Sequence, residues 1–375
     1  MYRVFHVFGS LKAGGLQIRS AALLQALGPS FTHAVMALDG NFESLRESRS
    51  SIEFVPTPAR SSRLLQPLSL SQVIRRIRPD LLVTYSWGAF DALIGGSLTG
   101  MCPVIHNECY AVDVKTRHIL ARRIFLNRIH RTVVPSKTLH EFVLTRYRVR
   151  PDKVCRIRNG VDTQKFTPGR DYNVRLRLGL DPDAVVFGSV GRLAREKNLG
   201  FLLRTYAASR LNTTRLVIVG DGPCRSELER LSRELSIDHQ VIFAGEVRDP
   251  APYFRAFDIF VMSSQTEQMP MALLEAMASG LPVISTGVGD IAEVLGTDKA
   301  PQIVNLDDES QYRTSMQTMA EHPGMRAALG LLNRSRCVSL YGIHQFVERH
   351  RVLYTEALAQ SIGRSWVASA HNLAP

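Results

Sequence analysis

Residues 258–286, DIFVMSSQTEQMPMALLEAMASGLPVIST, constrain the fold of this chain more than any other stretch. Ile259 to Met262 is an apolar run of the length of a buried strand. A polar loop, Ser263 to Met269, follows it. Pro270 stands where a helix can begin, because its missing N–H would be unsatisfied there anyway. Met271 to Ala278 consists of Ala, Leu, Met and Glu, all strong helix formers, and Gly280 is suited to end the helix in a left-handed conformation. Leu281 to Ser285 reads as a second apolar strand. Strand, loop, helix and strand within so few residues define a βαβ unit, and therefore a parallel sheet.

A βαβ unit has one polar hot spot, the loop at the carboxyl end of the strand facing the helix N-terminus. The free N–H groups and positive dipole end of that helix favour an anion such as a diphosphate. Glu267 lies in the loop before the helix and Glu275 about one and a half turns into it. Carboxylates do not coordinate phosphate, but they accept hydrogen bonds from hydroxyls. A ligand combining phosphate with sugar hydroxyls suits the pair; so, on spacing alone, does a capped surface helix with two solvated glutamates.

The length of 375 residues suits two domains. No apolar run is long enough to span a bilayer, and Met1 leads directly into a short strand, so no signal peptide is expected. Five scattered cysteines, none in a CxxC pair, suggest neither a disulfide framework nor a zinc site, and a cytoplasmic setting is the simplest fit. The net charge of +12 is uneven: residues 1–168 hold 24 Lys and Arg against 11 Asp and Glu, the remainder 22 against 23. A basic first half implies an anionic partner. No nucleic-acid module is recognisable, so an anionic membrane face or an anionic, lipid-linked acceptor is expected there. Within that half, Lys115 to Arg131 (KTRHILARRIFLNRIHR) reads as a basic amphipathic helix, either lying on a membrane or packed with its Arg residues outward.

The opening of the chain is a strand (Tyr2 to Phe8), a glycine turn with Gly14-Gly15, and a helical stretch (Leu16 to Leu27). The second half repeats the plan: a strand (Ala184 to Val190), the loop Gly191-Arg192-Leu193-Ala194-Arg195-Glu196-Lys197-Asn198, then a helix with Asn198 as its expected N-cap. Arg192 and Lys197 at the mouth of a parallel strand suit a diphosphate, Arg as a planar fork and Lys as a mobile point charge. Val104-Ile105 begins another strand, ending in His106-Asn107-Glu108.

Glu267-Gln268-Met269-Pro270, with Leu274-Glu275-Ala276-Met277-Ala278 and Gly280-Leu281-Pro282-Val283, resembles the signature of retaining GT-B glycosyltransferases of family 4. Asn159-Gly160-Val161-Asp162 with Phe166-Thr167-Pro168, and the G-R-x-x-x-x-K pattern of Gly191, Arg192 and Lys197, are similar to the same family. Two departures stand out: Gln268 where the family usually has Gly, and Asp290 where Gly-Gly is more common.

The resemblance implies an α/β GT-B fold, two Rossmann-like doubly wound domains facing a cleft. It divides the chain into residues 1–168 on the acceptor and membrane side, 169–345 for the nucleotide-sugar donor, and 346–375 as a helix crossing back to the first domain, with a loose tail beyond about 362. It implies donor binding by Gly15, Gly191, Arg192, Lys197, Val247, Gln268, Met269, Pro270 and Glu275, with Glu267 and His106 at the transferred sugar. The implied reaction moves a sugar from a UDP- or GDP-sugar to a glycan or lipid-linked acceptor in polysaccharide synthesis. No metal or other cofactor is expected, since Asp307-Asp308 lies in a linker-like segment and no pyridoxal-binding lysine context is present. An epimerase of related fold and a non-catalytic nucleotide-sugar sensor are the alternatives.

Overall fold

A computed structural model of the chain describes residues 1–12, 15–45, 52–58, 65–110, 116–297 and 301–371. It divides into two compact units: Met1–Asn159 with His344–Pro375, and Gly160–Ile343. The division falls a few residues before the seam expected near 168. Residues after Gly160 are tied to the second unit: Val161 bridges Gly342, and Arg334 donates to the carbonyls of Thr163 (2.9 Å) and Phe166 (2.7 Å).

The first unit is built on seven parallel strands: β1 (Tyr2–Phe8), β2 (Phe31–Ala37), β3 (Ile52–Phe54), β4 (Leu81–Tyr85), β5 (Val104–Asn107), β6 (Arg131–Val134) and β7 (Val154–Arg156). Their order is β3-β2-β1-β4-β5-β6-β7, so the winding reverses between β1 and β4. The helices Gln66–Ile77 and Phe90–Thr99 pack against one face through Leu70, Ile74, Ala92 and Leu93.

The last helix, Ile343–His371, contributes to this unit from His344 onward. Arg351 donates to the carbonyls of Ala26 (3.3 Å) and Leu27 (3.4 Å), and the Tyr354 ring meets Phe31 edge-on at 6.2 Å. The helix continues to His371, past the point where a loose tail was expected. No proline interrupts it, and Gly363 alone does not stop it.

The basic stretch Lys115 to Arg131 differs from its expected form. Lys115 lies outside the described residues; the helix is Thr116–Leu126, and Arg131 already opens β6. Its faces are not cleanly amphipathic. Leu120 and Ile124 are 56% and 40% exposed, whereas Arg122 is buried. The cause is a buried charge: Arg122 donates from Nε to Glu108 at 2.8 Å and stacks its guanidinium 4.4 Å from the Trp87 ring centre. An unpaired Glu108 in that position would be costlier than an inward arginine.

The second unit is built on six parallel strands: β8 (Val185–Val190), β9 (Thr214–Val219), β10 (Val241–Gly245), β11 (Ile259–Met262), β12 (Val283–Thr286) and β13 (Ile303–Val304). The order β10-β9-β8-β11-β12-β13 reverses between β8 and β11. Along β11, Phe260 and Met262 join one buried cluster while Ile259 and Val261 join the opposite one. Both faces are covered, which is why the sequence here is continuously apolar rather than alternating. The helix Met271–Ala278 and strand β12 follow in the expected places.

Candidate functional site

The carboxyl ends of β8 and β11 are neighbours at the switch point of the second sheet, and a polar loop leaves each. The β8 loop runs through Gly191, whose N–H donates to the Val219 carbonyl at 2.9 Å, to a short 3-10 turn, Arg195–Lys197. Asn198 occupies the cap position of the following helix, Leu199–Ser209, but not as an Asn N-cap normally does. Its backbone is left-handed (φ 50°) and its side chain makes no cap hydrogen bond. The chain instead reverses sharply there, turning Lys197 toward the β11 loop.

The two loops are stitched together by their backbones. Gln265 N–H donates to the Glu196 carbonyl at 2.9 Å, and Ser263 Oγ donates to the carbonyls of Lys197 (2.9 Å) and Asn198 (3.1 Å). At the centre, Lys197 Nζ lies 2.5 Å from Glu267 Oε1, and Ser264 Oγ donates to the same oxygen at 2.8 Å. The pair is partly shielded, with side-chain exposures of 28% and 10%.

A third loop supports this centre from β12. Thr286 Oγ1 donates to the Ser264 carbonyl at 2.6 Å, and Asp290 N–H to the Gln268 carbonyl at 3.3 Å. Gly289 has φ 58°, and a Cβ there would come within 2.0 Å of the Glu267 carbonyl oxygen, so only glycine admits this approach. On the other side Gly220 comes as close to the Gly191 carbonyl.

Met269 is buried and Gln268 half-buried, and Pro270, extended at φ −69° and ψ 133°, leads into the helix Met271–Ala278. No side chain caps that helix start, so its first N–H groups are available to an anion. Arg192 is exposed and, among the described residues, forms no ion pair.

Glu275, one and a half turns along, is 7% exposed. Burial raises its pKa from the ordinary 4.5 to about 7; Lys165 pulls it back down and Asp249 pushes it up. Those two residues form an ion pair of their own at 3.1 Å, which leaves Glu275 only partly compensated. Val247 follows β10, half-buried against the core cluster that contains Met269.

The remaining two expected site residues lie in the first unit. Gly14 is outside the described residues, and Gly15 is the exposed first residue of the helix Gly15–Ala26. His106 is fully buried at the end of β5, with Nδ1 2.8 Å from Thr84 Oγ1 and its ring edge-on to Phe90 at 5.8 Å. Its Nε2 is 3.8 Å from Glu108 Oε2, too far for a hydrogen bond, and has no other partner among the described residues. Burial alone would raise the Glu108 pKa, but His106 and Arg122 outweigh it and hold the carboxyl below its usual value.

Ser264, Thr286 and Gly289 are not among the residues expected at the site, although Gly289 belongs to the glycine loop Gly287-Val288-Gly289-Asp290. Ser264 had a signal: it lies three residues before Glu267, the spacing at which a serine hydroxyl reaches a local turn partner. Thr286 and Gly289 are distant in sequence and reach the site only through the pairing of β11 with β12.

Two parallel, doubly wound sheets, each reversing at its centre, are the architecture of GT-B glycosyltransferases. Anabaena Alr3699/HepE, solved with UDP and glucose, superposes with a TM-score of 0.82 at 18% identity, covering 95% of this chain and 100% of that one. A sucrose-phosphate synthase from Thermosynechococcus elongatus gives 0.81 at 20% identity, with 96% and 100% covered.

The chain belongs to the group 1, family 4 glycosyltransferases. Residues 13–165 match the Glycosyltransferase Family 4 pattern and residues 184–322 the Glycosyl transferases group 1 pattern. The putative glycosyltransferase EpsF of Bacillus subtilis is 31% identical over 304 residues, 75% of this chain and 78% of that protein. The sulfoquinovosyl transferase SQD2 of Arabidopsis thaliana is 26% identical over 287 residues, 72% of this chain and 55% of that protein. The chain spans about half the length of this and several other curated relatives it matches.

Proposed function

We propose that the protein is a retaining glycosyltransferase that moves a sugar from a nucleotide-diphosphate sugar to a glycan or lipid-linked acceptor in cell-surface polysaccharide synthesis. The observation that carries this reading is the meeting of Lys197 and Glu267, 2.5 Å apart, from two loops beside an uncapped helix start. A cation and a carboxylate side by side at a source of free N–H groups suit a ligand that is anionic at one end and rich in hydroxyls at the other.

In this reading Arg192, Lys197 and the N–H groups at the start of Met271–Ala278 hold the diphosphate. Gly15 and Gly191 allow close backbone approach, and Val247 lies against the base. Glu275 accepts from the ribose hydroxyls, Glu267 from those of the sugar, and Gln268, Met269 and Pro270 shape the loop between them. Cleavage of the glycosidic bond leaves an oxocarbenium-like sugar and a diphosphate with added negative charge. Cations and dipoles already aimed at that charge lower the barrier by several kcal/mol. A phosphate oxygen then takes the acceptor's proton on the face it has just left, which gives retention. Neutralisation by side chains and N–H groups leaves no metal requirement in this scheme.

HepE, with UDP and glucose bound, supports a UDP-sugar as one donor to test. No described helix is long and apolar enough to cross a membrane. A peripheral site on an anionic cytoplasmic membrane face is supported by the basic first half and by Leu120 and Ile124 exposed beside Arg123.

The test is a panel of UDP-glucose, GDP-mannose and ADP-glucose read by thermal shift, then by turnover with and without a lipid-linked glycan acceptor. A bound donor raises apparent stability by mass action. Acceptor-dependent nucleotide release supports the proposal. Release without any acceptor favours an epimerase, and binding with no turnover favours a sensor.

A further inference from the structure

Glu267 has two carboxylate oxygens, and the protein uses them unequally. Oε1 takes both the Lys197 ammonium (2.5 Å) and the Ser264 hydroxyl (2.8 Å). Among the described residues, Oε2 accepts no hydrogen bond. The two donors also differ in kind. The Lys197 ammonium rides on a four-carbon stem and can turn toward a stronger anion. The Ser264 hydroxyl has one rotor on a fixed backbone: the residue is 2% exposed, its carbonyl is held by Thr286 Oγ1 at 2.6 Å, and it lies two residues past the end of β11.

A diphosphate arriving at the helix start offers Lys197 more negative charge than one carboxylate does. Once the ammonium turns, Glu267 loses its cation, and only the serine donor still fixes the plane of the carboxylate.

We propose that Ser264 is a positioning residue: it holds Glu267 by Oε1 while Lys197 transfers to the donor diphosphate, and so keeps Oε2 aimed at the sugar hydroxyls. This rests on the donor-binding reading above and adds a division of labour within it. Lys197 neutralises the empty site, and Ser264 orients the filled one. Ser263 differs from Ser264, since its hydroxyl goes to the Lys197 and Asn198 carbonyls and braces the loop rather than the carboxylate.

The experiment compares Ser264→Ala, Ser264→Thr and Ser264→Cys, alongside Glu267→Ala and Lys197→Ala. The donor is whichever of UDP-glucose, GDP-mannose and ADP-glucose gives the largest thermal shift. Loss of a hydrogen bond to a charged group predicts that Ser264→Ala lowers kcat about tenfold or more. Binding of the free nucleotide diphosphate, which has no sugar for Glu267 to grip, stays within about twofold if the role is orientation alone. Threonine, which keeps the hydroxyl, restores most of the rate. Cysteine, which keeps the volume but donates weakly, falls between and serves if the alanine variant does not fold. Ser264→Ala adds little in the Glu267→Ala background if it acts through that carboxylate.

Wild-type kcat in Ser264→Ala, or equal losses of rate and nucleotide binding that threonine does not rescue, overturns the proposal. Wild-type turnover in both Glu267→Ala and Lys197→Ala overturns instead the donor-site reading on which it rests.

Discussion

Replacing Glu275 by Gln separates what the residue does for function from what it costs the fold. Its carboxyl is buried, and its pKa rises from 4.5 to about 7. The folded state therefore binds a proton more tightly than the unfolded chain does, and stability falls as pH rises from about 4.5 through 7. At about 1.4 kcal/mol per pKa unit the full difference is roughly 3 kcal/mol. Glutamine resembles the protonated carboxyl in shape and carries no charge at any pH. The variant is expected to match the wild type near pH 4.5, to become more stable as pH rises, and to lead by roughly 3 kcal/mol above pH 7. For a domain of this size that is a gain of roughly 6–12 °C in Tm. Donor turnover is expected to fall at least about tenfold, because an amide is a weaker acceptor for ribose hydroxyls than a carboxylate. The assay is a melting series from pH 4.5 to 8.5, with kcat and KM at each pH. A glutamine variant that tracks the wild-type melting curve at every pH refutes the burial argument. One that melts as expected but keeps full turnover refutes the assignment of Glu275 to the donor.

Three further outcomes follow from contacts described above. Lys197→Ala is expected to cut donor turnover about tenfold or more, by loss of a charged contact to the diphosphate; steady-state kinetics check it. Arg122→Ala leaves Glu108 buried without its main cation and is expected to destabilise the first unit by about 3–5 kcal/mol. Urea unfolding followed by Trp87 fluorescence reads this, and a loss well under about 1 kcal/mol would contradict it. In the first unit, burial lowers the pKa values of His33 and His350 from 6.5 to about 4, and it holds that of His6 well below 6.5, with His33 and His350 adding to the burial effect. These rings are neutral when folded, next to Arg19, Tyr85 and one another, so as pH falls from about 6.5 toward 4 the unfolded chain takes up protons the folded one refuses. Stability is lost over that window, by roughly 3 kcal/mol for each of His33 and His350. The slope is best read in Glu275→Gln, where the opposing carboxyl is gone, and His350→Gln is expected to flatten part of it.

The sheet-forming elements were legible because they obey local rules. Pro270, the helix formers from Met271 and Gly280 fix the boundaries of Met271–Ala278 without tertiary information. Ser136 does the same for the helix Lys137–Thr145, its Oγ accepting from the Leu139 N–H at 3.0 Å. The short helices Tyr172–Arg177 and Ile291–Leu295 were not anticipated, since each is too brief to show a period. Arg122 was misread because its inward turn answers a charge on Glu108, fourteen residues away, which no helical period encodes. At the candidate site, residue types suited to an anionic, hydroxyl-rich ligand could be named from the chain, but the partner of each could not. The shared oxygen between Lys197 and Ser264 depends on two loops meeting, and the room for Glu267 depends on a glycine from a third.

The return of His344 and the residues after it to the first unit also bears on synthesis. The second unit is a continuous segment, Gly160–Ile343, so all its strands and helices have left the ribosome before the final helix appears. The first unit is split, and His350 and Tyr354, which close over its early strands, are translated after the whole second unit. Domains tend to fold as they emerge, N-terminal first. Here the later-made unit is contiguous and complete in itself, while the earlier one lacks its contacts with Tyr354 until the chain beyond His344 has emerged.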